Sequence, residues 1–339
     1  MLTHTHGLWE GLRGERVFMT GGTGFVGTWL VEAFAAANDA YDLGAKAVLL
    51  SRDPARFAQR APHLAGHRAV RLIAGDAVGF TPPEGEFAFV VHAATERQAG
   101  DADATPMRSL DRDTAATRRV LEFARGARTR RMLFTSSGAV YGSQPPELER
   151  VAETYSGAPD PTDPGTAYGQ GKRLSEFACA AYARAYGIDA VIGRLFAFVG
   201  PHLPLGAGFA AGDFMRDILG GGPIRIGGDG TTIRSYLYAA DLAIWLWTLL
   251  LRGERGRAYN VGSAEAVSIR RLAELMAAEL APGTAIEVER GALPGAAGTR
   301  YVPSTDRAER ELGLRVRVAL PDALRRTYDF YRGAGAAGG

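Results

Sequence analysis

The stretch Thr20-Gly21-Gly22-Thr23-Gly24-Phe25-Val26-Gly27 follows a short β-rich run and opens an amphipathic helical pattern that begins Thr28-Trp29-Leu30. Few features constrain a fold more. Glycines at 21, 24 and 27 give the spacing GxxGxxG, a variant of the dinucleotide fingerprint. Such glycines permit a tight turn, close approach of backbone to a pyrophosphate, and close packing of helix on strand. The start of the helix then turns unsatisfied N–H groups and the positive end of its dipole toward the phosphates. Gly21, Thr23, Gly24, Phe25, Val26 and Gly27 are therefore the first candidates for cofactor binding.

Downstream, β-rich runs at 47–51, 70–74, 87–92, 132–136 and 190–195 join the first at 17–20, with helical patterns in most of the gaps. Several are unbroken apolar runs, as strands buried on both faces require. The alternation predicts an α/β protein with a Rossmann-type doubly wound parallel sheet over 15–200. After Gly200 the order loosens into loops rich in glycine and proline, with helical stretches at 212–219, 240–252, 268–280 and 321–331. These predict a smaller mixed α/β substrate lobe over 201–332, with chain crossing between the lobes and a ligand cleft where they meet. Residues 1–14, including His4 and His6, read as a flexible leader, and the Gly/Ala-rich 333–339 as a flexible tail.

Composition narrows the partners. Lys and Arg number 39 against 37 Asp and Glu, so no global field points to nucleic acid or an anionic membrane. The longest apolar stretch, Leu242 to Leu251, is about half a membrane span. With the single cysteine Cys179, an internal disulfide and a cysteine zinc site are excluded, no metal is expected, and a reducing cytoplasm fits best.

Two positions address the cofactor further. The second strand ends Leu50-Ser51-Arg52-Asp53, where an acidic residue commonly holds the NAD ribose and arginine favours the extra phosphate of NADP. Ser51 and Arg52 tilt the expectation toward NADP(H), with NAD(H) open because Asp53 lies one step later. Asp76 and the small pair Ala93-Ala94 close two further strands at the same edge and are candidates for the adenine and for backbone lying along the cofactor.

Tyr168 and Lys172 stand four residues apart at the start of a helical pattern reaching Tyr186, which puts phenol and ammonium on one face. An ammonium beside a phenol stabilises the phenolate, as a group that gives or takes a proton requires. Upstream, Met132-Leu133-Phe134-Thr135-Ser136-Ser137 ends in hydroxyls, and Ser137 is placed to hydrogen-bond the oxygen that Tyr168 would protonate.

Taken together the chain resembles an extended short-chain dehydrogenase/reductase of the NAD-dependent epimerase/dehydratase family, whose members mostly modify nucleotide sugars. The markers are TGGTGFVG at 20–27, TSSGAVYG at 135–142, YGQGK at 168–172, RLFAFVGP at 194–201, IGGDGTTIRSYLYAADLA at 226–243 and YNVGS at 259–263. The resemblance implies that Ser137, Tyr168 and Lys172 form the catalytic triad. It also implies that Arg234 matches the arginine pairing with a substrate diphosphate, for which a guanidinium is suited. Arg300 is a second candidate for that role, and Asp241 reads as the N-cap of the apolar helix. A homodimer through the helices near 111–125 and 168–186 is implied by resemblance alone.

Departures from the family pattern narrow the chemistry. Dehydratases carry Asp-Glu where this chain has Gly138-Ala139, and decarboxylases tend to carry Glu at the latter position. Ala197 replaces an asparagine that usually contacts substrate, and Asp113 replaces another asparagine. The expectation is an NAD(P)-dependent 4-ketoreductase of a nucleotide-linked 4-keto-6-deoxyhexose. The alternatives are a nucleotide-sugar 4-epimerase retaining NAD, a ketoreductase of a non-sugar natural-product ketone, and a non-catalytic NADP(H)-sensing protein.

Overall fold

The computed structural model describes residues 1–95, 105–289 and 298–336. The first part of the chain runs β1 (Arg16–Thr20), α1 (Phe25–Ala40), β2 (Lys46–Ser51), α2 (Pro54–Arg60), α3 (Pro62–Ala65), β3 (Val70–Ala74), β4 (Phe89–His92), α4 (Pro106–Gly126), β5 (Arg131–Ser137), α5 (Ala167–Tyr186) and β6 (Asp189–Leu195). It continues with β7 (Ala197–Val199), α6 (Ala210–Leu219), β8 (Ile224–Ile226), β9 (Ile233–Arg234), β10 (Tyr236–Tyr238), α7 (Ala239–Arg252) and β11 (Ala258–Val261). The last elements are β12 (Val267–Ser268), α8 (Ile269–Leu280), β13 (Ile286–Val288), β14 (Arg300–Tyr301), α9 (Asp306–Leu312) and α10 (Leu320–Ala336).

The central sheet is parallel throughout, in the order β11-β6-β5-β4-β1-β2-β3. All six predicted strands are in it, and the seventh, β11, arrives after part of the second lobe has been laid down. From β1 the chain builds outward to β3, then returns to place β4 on the other side of β1. Open α/β sheets hold ligands outside the carboxyl ends of the strands at such a reversal. The register brings Thr20 beside Leu50 and His92, so the strand ends that carry the candidate residues share one edge. One face is covered by α1 and α7 and the other by α4 and α5, each over its own apolar core. A third core lies among α6, α8, α10 and the short strands of the second lobe. The helix α7, expected in that lobe, instead packs on α1, β5 and β6, and with β11 it forms the crossing back to the first domain.

Three expectations are corrected. The N-terminal segment is not a flexible leader: Trp9 is 2% exposed, with its ring centroid 5.2 Å from that of Trp247, and Leu8 and Leu12 are buried beside it. Its two single-turn 3-10 helices, at 2–4 and 9–12, are too short to show a period in the sequence. Nor does Asp241 cap α7. It is buried in the first turn and accepts the backbone N–H groups of Arg317 and Val318 at 2.9 and 3.0 Å, tying the approach to α10 down onto α7. The predicted tail is helical as far as Ala336, and 337–339 lie outside the described residues. No helix among the described residues is long and apolar enough to cross a membrane.

The end of β4 is held by a buried histidine. His92 Nδ1 lies 2.7 Å from Thr20 Oγ1 on β1, and its Nε2 lies 3.2 Å from Thr117 Oγ1 on α4. Burial, reinforced by the nearby Lys172 ammonium, pushes the imidazole down to about 3 from its usual 6.5.

Two outcomes are expected. Trp9→Ala should cost about 3–5 kcal/mol in chemical denaturation, the range for emptying a buried aromatic site, whereas a mobile segment would give no change. Because unfolded chains protonate His92 below about pH 6.5 and the native protein does not, stability should fall by up to about 1.4 kcal/mol per pH unit below that point. The slope should flatten in His92→Asn, and an unchanged slope would show that this imidazole is not held neutral.

Candidate active site

The three glycines at the head of α1 do three different things. Gly21 has φ +71°, and a Cβ there would lie 2.4 Å from the Ala93 carbonyl carbon, so β1 turns against the end of β4 with nothing between the backbones. A Cβ on Gly27 would lie 2.1 Å from the Gly21 carbonyl oxygen, which seats α1 directly on the loop. At Gly24 a Cβ would meet only the Gly21 oxygen, at 3.4 Å, leaving this position open toward the cleft. No side chain caps the N-terminus of α1. Free N–H groups beside an open glycine fit a dinucleotide pyrophosphate, and Thr23, Phe25 and Val26 complete this wall.

The end of the cleft beside β2 is lined by Ser51, Arg52 and Asp53. Ser51 Oγ is 3.3 Å from Thr23 Oγ1 and accepts the Asp53 N–H at 3.2 Å. Asp53 accepts the Arg56 N–H at 2.9 Å as the N-cap of α2, so one of its oxygens is used by its own helix. The same helix brings up Arg56 and Arg60, which the sequence reading missed. Arg60 donates to the Thr23 carbonyl and, at 3.0 Å, to Thr28 Oγ1. Asp76 also faces the cleft, with one oxygen on the Val78 N–H at 2.9 Å and the other on Arg112 at 2.7 Å.

The cleft, about 980 Å³, continues from this wall past Ala93 and Ala94 to Ser137, Tyr168 and Lys172. A Cβ on Gly169 would lie 2.7 Å from the Ala139 carbonyl oxygen, so the first turn of α5 sits against the turn that follows β5. That contact brings Tyr168 and Ser137 to the same stretch of the cleft. Lys172 is 2% exposed, donates to the Thr135 carbonyl at 3.3 Å, and lies 5.0 and 5.7 Å from the ring centroids of Phe134 and Tyr168. Asp113 is buried in the cleft wall on α4, where Gly171 lets α5 come close.

On the second lobe Ala197 and Arg234 line the cleft. Arg234 donates to the Ile233 and Thr299 carbonyls at 2.9 and 3.3 Å, and burial pulls its guanidinium below the ordinary arginine value. No carboxylate pairs with it in these contacts, which suits a site for an anion. Arg300 is the exception among the candidates. It is not in the cleft wall and donates outward to the Glu149 carbonyl at 3.3 Å. Side chains alternate along a strand, so β14 turns Tyr301 inward instead. The Tyr301 ring packs on Phe196 with centroids 4.5 Å apart. A Cβ on Gly138 would lie 2.7 Å from both Phe196 Cζ and the Tyr301 hydroxyl. The space a side chain at 138 would need is therefore filled.

Residues 17–262 match the NAD dependent epimerase/dehydratase family. UDP-glucuronic acid decarboxylase 1 of Xenopus tropicalis is 26% identical over 94% of this chain and 72% of its own length, and its Arabidopsis thaliana counterpart is 26% identical over 94% and 70%. Among solved structures, an epimerase from Methanothermobacter thermautotrophicus superposes with TM-score 0.81 at 23% identity, covering 99% of this chain and 97% of its own. The dTDP-glucose 4,6-dehydratase of Streptomyces venezuelae, with NAD bound, gives 0.79 at 25% identity, covering 95% and 98%. A doubly wound sheet, a glycine loop open to a pyrophosphate and a match across most of the chain agree: this protein belongs to the NAD dependent epimerase/dehydratase family.

Proposed function

We propose that the chain is an NADP(H)-dependent reductase that converts the ketone of a nucleotide-linked 4-keto-6-deoxyhexose to an alcohol. The observation that carries this reading is what stands beside the hydroxyl, phenol and ammonium of Ser137, Tyr168 and Lys172. Elimination of water needs an acid and a base next to them, and this chain has Gly138, closed over by Phe196 and Tyr301, and Ala139. The same absence argues against the decarboxylation that names its relatives. Carbonyl reduction needs neither group.

When bound, the nicotinamide supplies hydride chemistry at the carbonyl carbon. Tyr168 gives its proton to the carbonyl oxygen, and the Lys172 ammonium stabilises the phenolate that remains. Ser137 donates to the same oxygen and orients it, while Arg234 pairs with the diphosphate. Gly21, Gly24 and Gly27 seat the cofactor pyrophosphate. Arg52, with Arg56 beside it, faces the adenosine where a 2′-phosphate would lie, and Asp53 is engaged by α2. The outward faces of α4 and α5 support a homodimer, with Phe177 of α5 69% exposed and Leu174 of α5 and Met107 of α4 also exposed.

Purified protein should consume NADPH, followed at 340 nm, when given a nucleoside-diphosphate 4-keto-6-deoxyhexose. No turnover with any such sugar would sink the reading. Stoichiometric NAD+ that resists dialysis, with no net consumption, would identify a 4-epimerase, and indifference to nucleoside diphosphates would point to a non-sugar ketone. Arg52→Ser should weaken NADPH binding by about 10-fold or more while leaving NADH unchanged, since a charged hydrogen bond is worth about 1.5–3 kcal/mol. Phe177→Asp should convert a dimer to a monomer in light scattering. A monomeric parent protein would dismiss that interface.

A further inference from the structure

Tyr301 touches the candidate catalytic hydroxyl from the other lobe. Its Oη lies 3.3 Å from Ser137 Oγ and 3.2 Å from the Leu195 carbonyl oxygen. The strand that carries it is gripped on both sides. β14 pairs with β9, placing Tyr301 beside Arg234, whose guanidinium lies 5.7 Å from the Tyr301 ring centroid. On the other side Val302 donates its N–H to Gln144 Oε1 at 2.9 Å, while Val151 donates its N–H to the Val302 carbonyl and accepts the Ser304 N–H, both at 2.9 Å. The ring itself packs at a tilt on Phe196. The phenol is thus a fixed group in the cleft.

Proton counting gives it a task. Ser137 Oγ accepts the Ala139 N–H at 3.2 Å, which leaves one lone pair and one hydrogen. Tyr301 has one hydrogen, and both Ser137 Oγ and the Leu195 carbonyl oxygen are within its reach. When that hydrogen points to Leu195, the Ser137 hydrogen is drawn toward Tyr301 Oη and is not available to a ligand. When it points to Ser137, both lone pairs of the serine are engaged, and its hydrogen is left for a ligand. A ketone oxygen, which only accepts, selects the second arrangement, and the resulting chain of two O–H donors is mutually strengthened.

We propose that Tyr301 is a positioning residue that sets the direction of the Ser137 hydrogen bond, so that a segment of the substrate lobe orients the hydroxyl that binds the ketone. This rests on the reading of Ser137 given above. Tyr301→Phe keeps the ring on Phe196 and removes only the hydroxyl. It should lower kcat about 10-fold with KM for the keto-sugar nucleotide changed less than 2-fold, and it should cause no further loss in a Ser137→Ala background. Losses that multiply in the double variant, or an unchanged kcat in Tyr301→Phe, would overturn the proposal. Melting temperatures of the four ligand-free proteins provide a separate cycle. Additive shifts there would show that the two hydroxyls are not paired and also overturn it, and coupled shifts support it. If the parent protein reduces no keto-sugar nucleotide, the functional reading fails on its own, and the melting cycle still decides whether Tyr301 holds Ser137.

Discussion

The contact on which the site depends is made by backbone alone. Gly27 lies against Gly21, and Gly21 against Ala93, with no room for a Cβ at either place. Side chains can repack by a few tenths of an ångström, but two main chains in contact fix the separation of a strand, a helix and the neighbouring strand end. The start of α1 is therefore set relative to the whole sheet. A dinucleotide anchored there has its far end set as well, and the groups that act at that end need matching placement. A second backbone contact provides it, where Gly169 brings α5 against the Ala139 carbonyl.

Behind the cleft, a polar network braces the elements that carry these groups. Ser136 on β5 donates to Glu176 on α5 at 2.6 Å, and Glu176 receives the fork of Arg194 from β6, the shortest contact being 2.7 Å. Arg194 reaches on to the Tyr141 hydroxyl at 2.9 Å, and Tyr141 donates to Asn260 on β11 at 2.7 Å. Removing one member of a partly buried charged network leaves its partner short of hydrogen bonds, so such networks hold neighbouring elements to one arrangement. Here they are β5, α5, β6 and β11, with the turn that follows Ser137.

What the sequence made legible was whatever local geometry demands of a residue type. Only glycine serves at Gly21 and Gly27, and only a four-residue spacing puts Tyr168 over Lys172 on a helix. The parallel strands showed as apolar runs for the same reason. What stayed hidden depends on partners far along the chain. Trp9 reads as part of a leader until α7 is seen beneath it. Asp241 has the position of a helix cap, yet its partners are backbone groups beyond residue 316. Arg300 and Tyr301 are adjacent, and the choice of which faces the cleft is made by a strand of two residues against another of two, too short for any period. Arg56 and Arg60 were passed over because their place on the cleft wall follows from how α2 leaves β2.

The late arrival of β11 has a consequence for how the molecule is made. During synthesis the sheet reaches β6 and stops, because the chain leaves to build β7 to β10 before it returns. Until α7 and β11 have left the ribosome, β6 presents an unpaired edge, and the indole of Trp9, made well before them, has no Trp247 to lie against. An open edge beside uncovered apolar surface is what nascent chains aggregate through. The N-terminal segment and the last strand of the sheet are thus completed together, by a stretch of chain that ends at Val261.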